Sequence, residues 1–458
     1  METLLIMTSY YVPQSQEAHS SKLGLFFIPP TDIGIESYNF LEFRPTAKAN
    51  EGDCIEFNID NQTASYIDLS KCRLHVKAQV LKGNGETLPR VSVSVDEETG
   101  KPVTVIPDEA RVAISNMFFG SMFRQVEVML QQKVISPHVG TNYPYKAYFD
   151  TMFYSSEVEQ LTEGSNMFYE KENYEFMGDV DPFSSGNASV QKRYKHIAKS
   201  NIFDMEGKIF SDVFQVERLL LNNISLRVRF SKNDPTFSLI SSNTNASYKV
   251  NIIDAYMRIA LAKPTAPVLI SQANVLKNTP AIYPYIGSVL KTFSVAQRER
   301  QISLSNIFNG DIPSQMIIAM VDTNAYIGSY NKNPFQFKPY SCNYISLKID
   351  GNNTPYSPIS PHFVYELEEK NTVAELYSNL FLGSVRPLIS RTEFTDGFTV
   401  FYYEITKVRE GCLAPQKRGL LELDLRFGKE LPNPITIIVY GRFPAMFKID
   451  ESRNILLG

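Results

Sequence analysis

The feature that most constrains this chain is a two-residue hydrophobic period that returns along its whole length. In CIEFNID (54–60), Ile55, Phe57 and Ile59 alternate with polar neighbours, and in RLHVKAQVL (73–81) Leu74, Val76, Ala78 and Val80 do the same. Successive side chains of a strand point to opposite faces, so the pattern predicts strands with one face in a core and the other turned outward. RVSVSV (90–95) and PVTVI (102–106) read as a hairpin about EETGKP, and GNG at 83–85 as a tight turn. Further strands are expected at FRQVEVML (123–130), ISLRVRF (224–230), YKVNIIDAYMRIAL (248–261), VLKTFSV (289–295) and SQMIIAMV (314–321). The series closes with NYISLKI (343–349), FTVFYYEI (398–405), LLELDLRF (420–427) and PITIIVY (434–440).

Helical spacing interrupts this grammar twice. Tyr148, Phe149, Met152 and Phe153 predict one amphipathic helix that starts at Tyr145 and ends at Gly164. The second is expected at 373–382, with Thr372 and Glu375 as a capping box, Val373, Leu376, Tyr377 and Leu380 as the apolar face, and Gly383 as its end.

The two halves of the chain repeat one another. ISLRVRFSKNDP (224–235) aligns without a gap on LELDLRFGKELP (421–432), with Arg229/Arg426, Phe230/Phe427, Lys232/Lys429 and Pro235/Pro432 identical. QVEVMLQQK (125–133) parallels YISLKIDGN (344–352), and in each half a proline-containing loop and then one helix follow. Short strands, turn signals and a single helix in a copy of about 200 residues fit an eight-stranded jelly roll with long loops. The expected fold is therefore all-β, two tandem jelly-roll β-sandwiches. Its division is an N-terminal arm at 1–33, a first roll at 34–263 carrying an irregular insertion at 165–212, a proline-rich linker at 264–285, and a second roll at 286–458. Further long loops fall near 240–247 and 352–372.

A chain of 458 residues exceeds one ordinary core, in agreement with two domains. Its 25 Tyr and 30 Phe with no Trp suit pleated surfaces and large buried contacts. A net charge of −4 creates no field that would draw it onto DNA or an anionic membrane. Cys54, Cys72, Cys342 and Cys412 form no CxxC pair and read as buried thiols of a reducing compartment. The N-terminus has an acid at Glu2 and no basic region before its apolar run, so no signal peptide is expected, and no apolar run is long enough to predict a membrane span.

The search for chemistry returns no catalytic, cofactor-binding or metal residue. The chain contains no GxSxG elbow, GxxxxGK[ST] loop or HExxH helix, and His19, His75, His138, His196 and His362 are scattered singly. His75 reads as an outward strand residue. Asp179 and Asp181 are a carboxylate pair before Pro182 that reads as a polar loop tip in preference to a cation site. Glu366, Glu368 and Glu369 read as the solvated approach to a helix. Lys192, Arg193, Lys195, His196 and Lys199, interleaved with Tyr194, form a basic cluster suited to phosphates, with Asp179, Asp181, Asp204 and Glu206 expected to offset it. A solvated loop or a subunit contact is the preferred reading.

Several segments resemble the double jelly-roll major capsid proteins of small DNA viruses and of the virus-derived Maverick/Polinton elements and adintoviruses, with related invertebrate-encoded proteins. They are SYIDLSKCRLHVKAQV (65–80), SMFRQVEVMLQQKVIS (121–136), NYPYKAYFDTMF (142–153), VERLLLNNISLRVRF (216–230), GSYNKNPFQFKPY (328–340), FTDGFTVFYYEIT (394–406), RGLLELDLRF (418–427) and IVYGRFPAMFKIDESRNILL (438–457). The resemblance implies a hexon-like virion protein whose homotrimer is a pseudo-hexameric capsomer of an icosahedral shell. It implies contacts with neighbouring capsomers and with penton or minor capsid proteins, assembly in the host nucleus or cytoplasm, no catalysis, no cofactor, no specific small-molecule ligand, and at most non-specific contact with nucleic acid. The rival readings are a two-domain jelly-roll enzyme acting on glycans, which requires convergent carboxylates between the rolls, and a penton-like or minor capsid protein, which the duplication disfavours.

Overall fold

The computed structural model describes residues 30–457 apart from 61–62, 96–101, 136–142, 244, 246, 364–370, 384 and 409–411, together with Lys22, Leu25, Phe26 and Ile28. Most of the expected arm and Glu366, Glu368 and Glu369 lie outside the described residues.

Sixteen strands make the main paths of four sheets, and Ile455–Leu457 adds a short seventeenth by pairing with Phe447–Ile449. The first half contributes β1 (Ile35–Phe43), β2 (Cys54–Asp60), β3 (Tyr66–Lys82), β4 (Phe123–Leu130), β5 (Lys133–Val134), β6 (Phe203–Lys208), β7 (Ser225–Lys232) and β8 (Tyr248–Pro264). The second contributes β9 (Ala281–Val295), β10 (Gln301–Ser305), β11 (Gln315–Asp322), β12 (Cys342–Ile349), β13 (Asn352–Asn353), β14 (Val400–Glu404), β15 (Leu421–Phe427) and β16 (Ile435–Ile449). In the first half the sheets run β1-β8-β3-β6 and β2-β7-β4-β5; in the second they run β9-β16-β11-β14 and β10-β15-β12-β13. Adding eight to every label of the first pair generates the second pair. Two tandem eight-stranded jelly rolls of one topology are therefore present, with all ladders between these strands antiparallel.

The sequence repeat falls where this topology requires it. In β7, Leu226, Val228 and Phe230 are buried and Arg227 and Arg229 exposed; in β15, Leu421, Leu423, Leu425 and Phe427 are buried and Arg426 exposed. Each strand sits between its own two sheet partners, β2 and β4 for β7, β10 and β12 for β15. The conserved spacing thus carries one buried Phe and one outward Arg in each roll. The hairpin at Ser92–Val95 and Pro102–Val105 also forms.

The proline-rich stretch at 264–285 holds regular structure: Ala266–Leu276 is a helix (α3), with Pro267 in its first turn where a missing N–H costs nothing, and β9 begins at Ala281. Three expectations need correction. The segment at 165–212 contains a strand of the sandwich, β6, paired to β3 from Arg73↔Lys208 to Ala78↔Phe203, as well as a helix (α2, Ala188–Ile197). The aromatic helix is two pieces: α1 (Tyr143–Tyr154) ends, and Ser156 then caps a new turn in a reciprocal box with Glu159. Finally, Thr372 caps nothing. The last helix, α4 (Ala374–Leu382), starts after Val373 without a side-chain cap, because the Thr372 hydroxyl is paired with His362 Nδ1 at 3.1 Å.

Candidate assembly surfaces

The surface that fixes the relation of the two rolls is built by α1. Its aromatic residues belong by sequence to the first roll but pack on the second. Tyr148 stacks on Phe335 with ring centroids 4.4 Å apart, Tyr145 on Tyr326 at 5.7 Å, and Phe153 on Tyr402 at 6.1 Å. Phe149 lies 5.5 Å from Phe337 and 5.9 Å from Tyr440. Such ring pairs add to the area they bury. Nearly all the buried apolar residues of both rolls consequently belong to one continuous core, with Ala113, Val180, Val190 and Ile240 as a small separate cluster.

Inside this seam sits a buried ionic network. Lys146 of α1 donates to Asp150 Oδ2 at 3.0 Å, to Asp212 Oδ1 at 2.6 Å and to Ser288 Oγ of β9 at 2.7 Å, which uses all three ammonium protons. Tyr440 of β16 donates to Asp150 Oδ1 at 2.7 Å, and the Ser288 amide donates to Asp212 Oδ2 at 2.7 Å. Burial alone would strip the Lys146 proton, but Asp150 and Asp212 outweigh it and hold the ammonium well above the ordinary lysine value. Burial likewise opposes the Asp150 charge, yet Lys146, Arg442 and Tyr440 keep its carboxyl below the usual range. A lysine held charged between two carboxylates is a fastener and not a general base.

A second buried pair ties the 165–180 segment to the second roll. Arg193 and Glu172, both almost fully buried, form an ion pair. Arg193 Nε also donates to the Ile114 carbonyl at 2.9 Å, and Glu172 accepts from Asn333 Nδ2 at 2.7 Å. This takes three members out of the basic cluster read from sequence and leaves Lys195 exposed. Lys192 pairs with Glu170, Arg193 is interior, and His196 packs against Phe168 with centroids 4.8 Å apart. The compensating acids are Glu170 and Glu172, not Asp179, Asp181, Asp204 and Glu206, because the helical turn of α2 aims these side chains at the 165–180 segment.

The other singled-out residues are also accounted for. Asp181 pairs with Arg111, and Asp179 and Asp181 accept backbone amides two residues on, as in an ordinary polar turn. His75 stacks on Tyr256 with centroids 4.4 Å apart, so it is covered, not freely exposed. Among the described residues no three His, Cys, Asp or Glu side chains gather as a metal site. Cys72 and Cys342 are buried thiols pushed up to about 12 by desolvation, whereas Cys54 is half-buried and Cys412 exposed, against expectation. No helix among the described residues is long and apolar enough to cross a membrane.

Three elements each carry two or more exposed apolar side chains. Helix α3, APVLISQANVL, carries no charged side chain and exposes Ile270 and Val275 to 63% and 60%. Edge strand β1 exposes Tyr38, Phe40 and Leu41, and edge strand β9, its counterpart in the second roll, exposes Ile282 and Ile286. None of these side chains is covered within the single chain.

Sixteen strands in two sandwiches of one repeated order define a double jelly roll. The solved structures it is similar to are of that type. A chain of the Sputnik virophage aligns over 99% of this chain and 94% of its own length, with TM-score 0.60 and 11% identity. The Faustovirus major capsid protein aligns over 94% and 92%, with TM-score 0.56 and 8% identity, and the mavirus major capsid protein over 100% and 96%, with TM-score 0.52 and 11% identity. By sequence the chain is 23% identical over 414 residues to an uncharacterised protein of Caenorhabditis elegans, covering 87% of this chain and 92% of that one. No family model matches the sequence. At such identities the agreement is one of fold, and it extends over nearly the whole chain.

Proposed function

We propose that this chain is a structural virion component, a major capsid protein whose trimer forms a pseudo-hexameric capsomer of an icosahedral shell. The observation that carries this reading is the repeat of strand order between two rolls that α1 fuses into one core. A subunit with two similar walls at a fixed angle lets three copies present six similar walls, so one gene product fills a near-sixfold lattice position. Full-length agreement with capsid-protein folds supports the same role. A glycan-acting enzyme between the rolls would need convergent, accessible carboxylates; Asp150 and Asp212, which do lie there, are spent on Lys146.

The division we propose is an arm before residue 34, a first roll ending with β8 at Pro264, α3 as a short helical connector, and a second roll beginning at Ala281. The exposed apolar residues of α3, β1 and β9 are the surfaces for contact between copies, and penton or minor capsid proteins are the further partners. Assembly takes place in the host nucleus or cytoplasm, and the product resides in the virion. Light scattering and electron microscopy of the purified protein test this: the expected particle has about three times the 52.0 kDa chain mass and a hexagonal outline. A stable monomer at high concentration would overturn it.

A further inference from the structure

At the rim of the inter-roll seam lies a cleft of about 500 Å³ between the end of α1, the start of β11, the middle of β16 and the loops around 386 and 413. Among the described residues none that lines it is acidic, while Arg386 and Arg442 both line it. Arg442 projects from the same face of β16 as Tyr440, two residues away. Its guanidinium lies 3.7 Å from the centroid of the Tyr154 ring, and Nη1 makes a long hydrogen bond of 3.4 Å to Gln315 Oε1. Among the described residues no carboxylate is within ion-pair distance of Arg442 or Arg386. Asp150, the acid that acts on Arg442 through space, is occupied by Lys146 and Tyr440. Lys208 adds a third positive charge at the border by donating to Ser155 Oγ at 3.1 Å, which leaves the Ser155 proton free to donate.

The contrast with the cleft beside α2 is informative. There every cation has its anion: Lys192 with Glu170, Arg193 with Glu172, and Lys171 with Glu393 at 2.9 Å. Here Arg386, Arg442 and the Ser155 hydroxyl line one space, and among the described residues none that lines it is acidic. A guanidinium offers five donors in a planar fork that matches oxyanions, and held over an aromatic ring it loses little freedom on binding. Two forks plus a hydroxyl supply more donors than one carboxylate accepts but suit the several oxygens of a phosphate group.

We infer that this cleft is a binding site for a small phosphate-bearing anion, held by Arg442 and Arg386 with Ser155. It lies beyond the shell role and does not depend on it; it also departs from the expectation that a protein of this fold takes no small ligand. Such an anion would bridge α1 of the first roll and β16 of the second, adding a removable tie across the seam.

The test uses the intact chain in titration calorimetry and thermal unfolding with inorganic phosphate, pyrophosphate and succinate, each at matched ionic strength against chloride. Pyrophosphate is expected to bind with one site per chain, more tightly than succinate, and to raise the unfolding temperature saturably. R386Q, at an exposed position outside the core, is expected to weaken pyrophosphate binding about tenfold or more while unfolding at the wild-type temperature in chloride. R442Q is expected to abolish binding, and because it also removes packing on Tyr154, R386Q is the deciding variant. Equal unfolding temperatures in pyrophosphate and chloride, or unchanged affinity in R386Q, would overturn the assignment. Tighter binding of succinate than of pyrophosphate would do so too, by making the site one for a protein carboxylate.

Discussion

At the scale of single residues, Lys146 decides most. Removing one member of a buried ion group leaves the others charged and unpaired, which costs about 3–5 kcal/mol, far above the effect of an exposed pair. Lys146→Met is accordingly expected to lower stability by about that amount in denaturant titrations, while Lys48→Met, at an exposed pair with Glu51, leaves it within about 0.5 kcal/mol. The pH dependence follows from Asp150. Its folded-state carboxyl lies below the ordinary value, so the stability it contributes is fully present above about pH 4 and is lost as pH falls through the folded value. Unfolding temperatures are expected to drop as pH falls below about 4, with a shallower drop in Asp150→Asn. Cysteine reactivity should divide by burial. Cys412 is expected to react with a thiol reagent in the native protein, and Cys72 and Cys342 only after unfolding; labelling of either buried thiol at the Cys412 rate would contradict the burial described.

At the scale of elements, α1 is the unusual one. Most helices of a sandwich cover their own sheets, yet α1 carries aromatic residues that satisfy the neighbouring roll. Phe149→Ala opens space on both sides of the seam and is expected to cost about 3–5 kcal/mol. The caps show how local signals compete. Ser390 and Glu393 form a reciprocal box at the short helix Arg391–Thr395, and Ser390→Ala is expected to cost about 1 kcal/mol. Thr372 and Glu375 have the same sequence spacing and form none, since His362 claims the threonine hydroxyl. Helical content of the variants by circular dichroism, with their denaturation midpoints, checks both statements.

For the whole molecule, one core and a charge network across the seam predict one unfolding event. Calorimetry is expected to give a single transition whose calorimetric and van't Hoff enthalpies agree, and two resolved transitions would mean that the rolls fold independently. Lys146→Met and Phe149→Ala weaken the same seam, so their combined effect should depart from the sum of the two. Placing lysine at Ile270 and Val275 of α3 is expected to leave the monomer folded and to lower the yield of trimers seen by light scattering, because both side chains are exposed in the single chain.

The sequence by itself determined most of the long strands and their duplication, though not β1 or β10. Alternation states which face of a strand is buried, and the Arg-Phe-x-Lys-x-x-Pro match marked β7 and β15 as counterparts, because both properties are local and survive without knowledge of partners. It did not determine β6, which lay hidden in an irregular stretch: FDMEGK has little β-branched character and is a strand because β3 offers it an edge. Nor did it show that proline-rich 264–285 holds a helix, that Arg193 is interior, or that Lys146 meets Asp212 and Ser288. The meeting of Lys146 with Ser288 joins residues 142 positions apart, and only the packing of one roll on the other brings such groups within hydrogen-bonding distance.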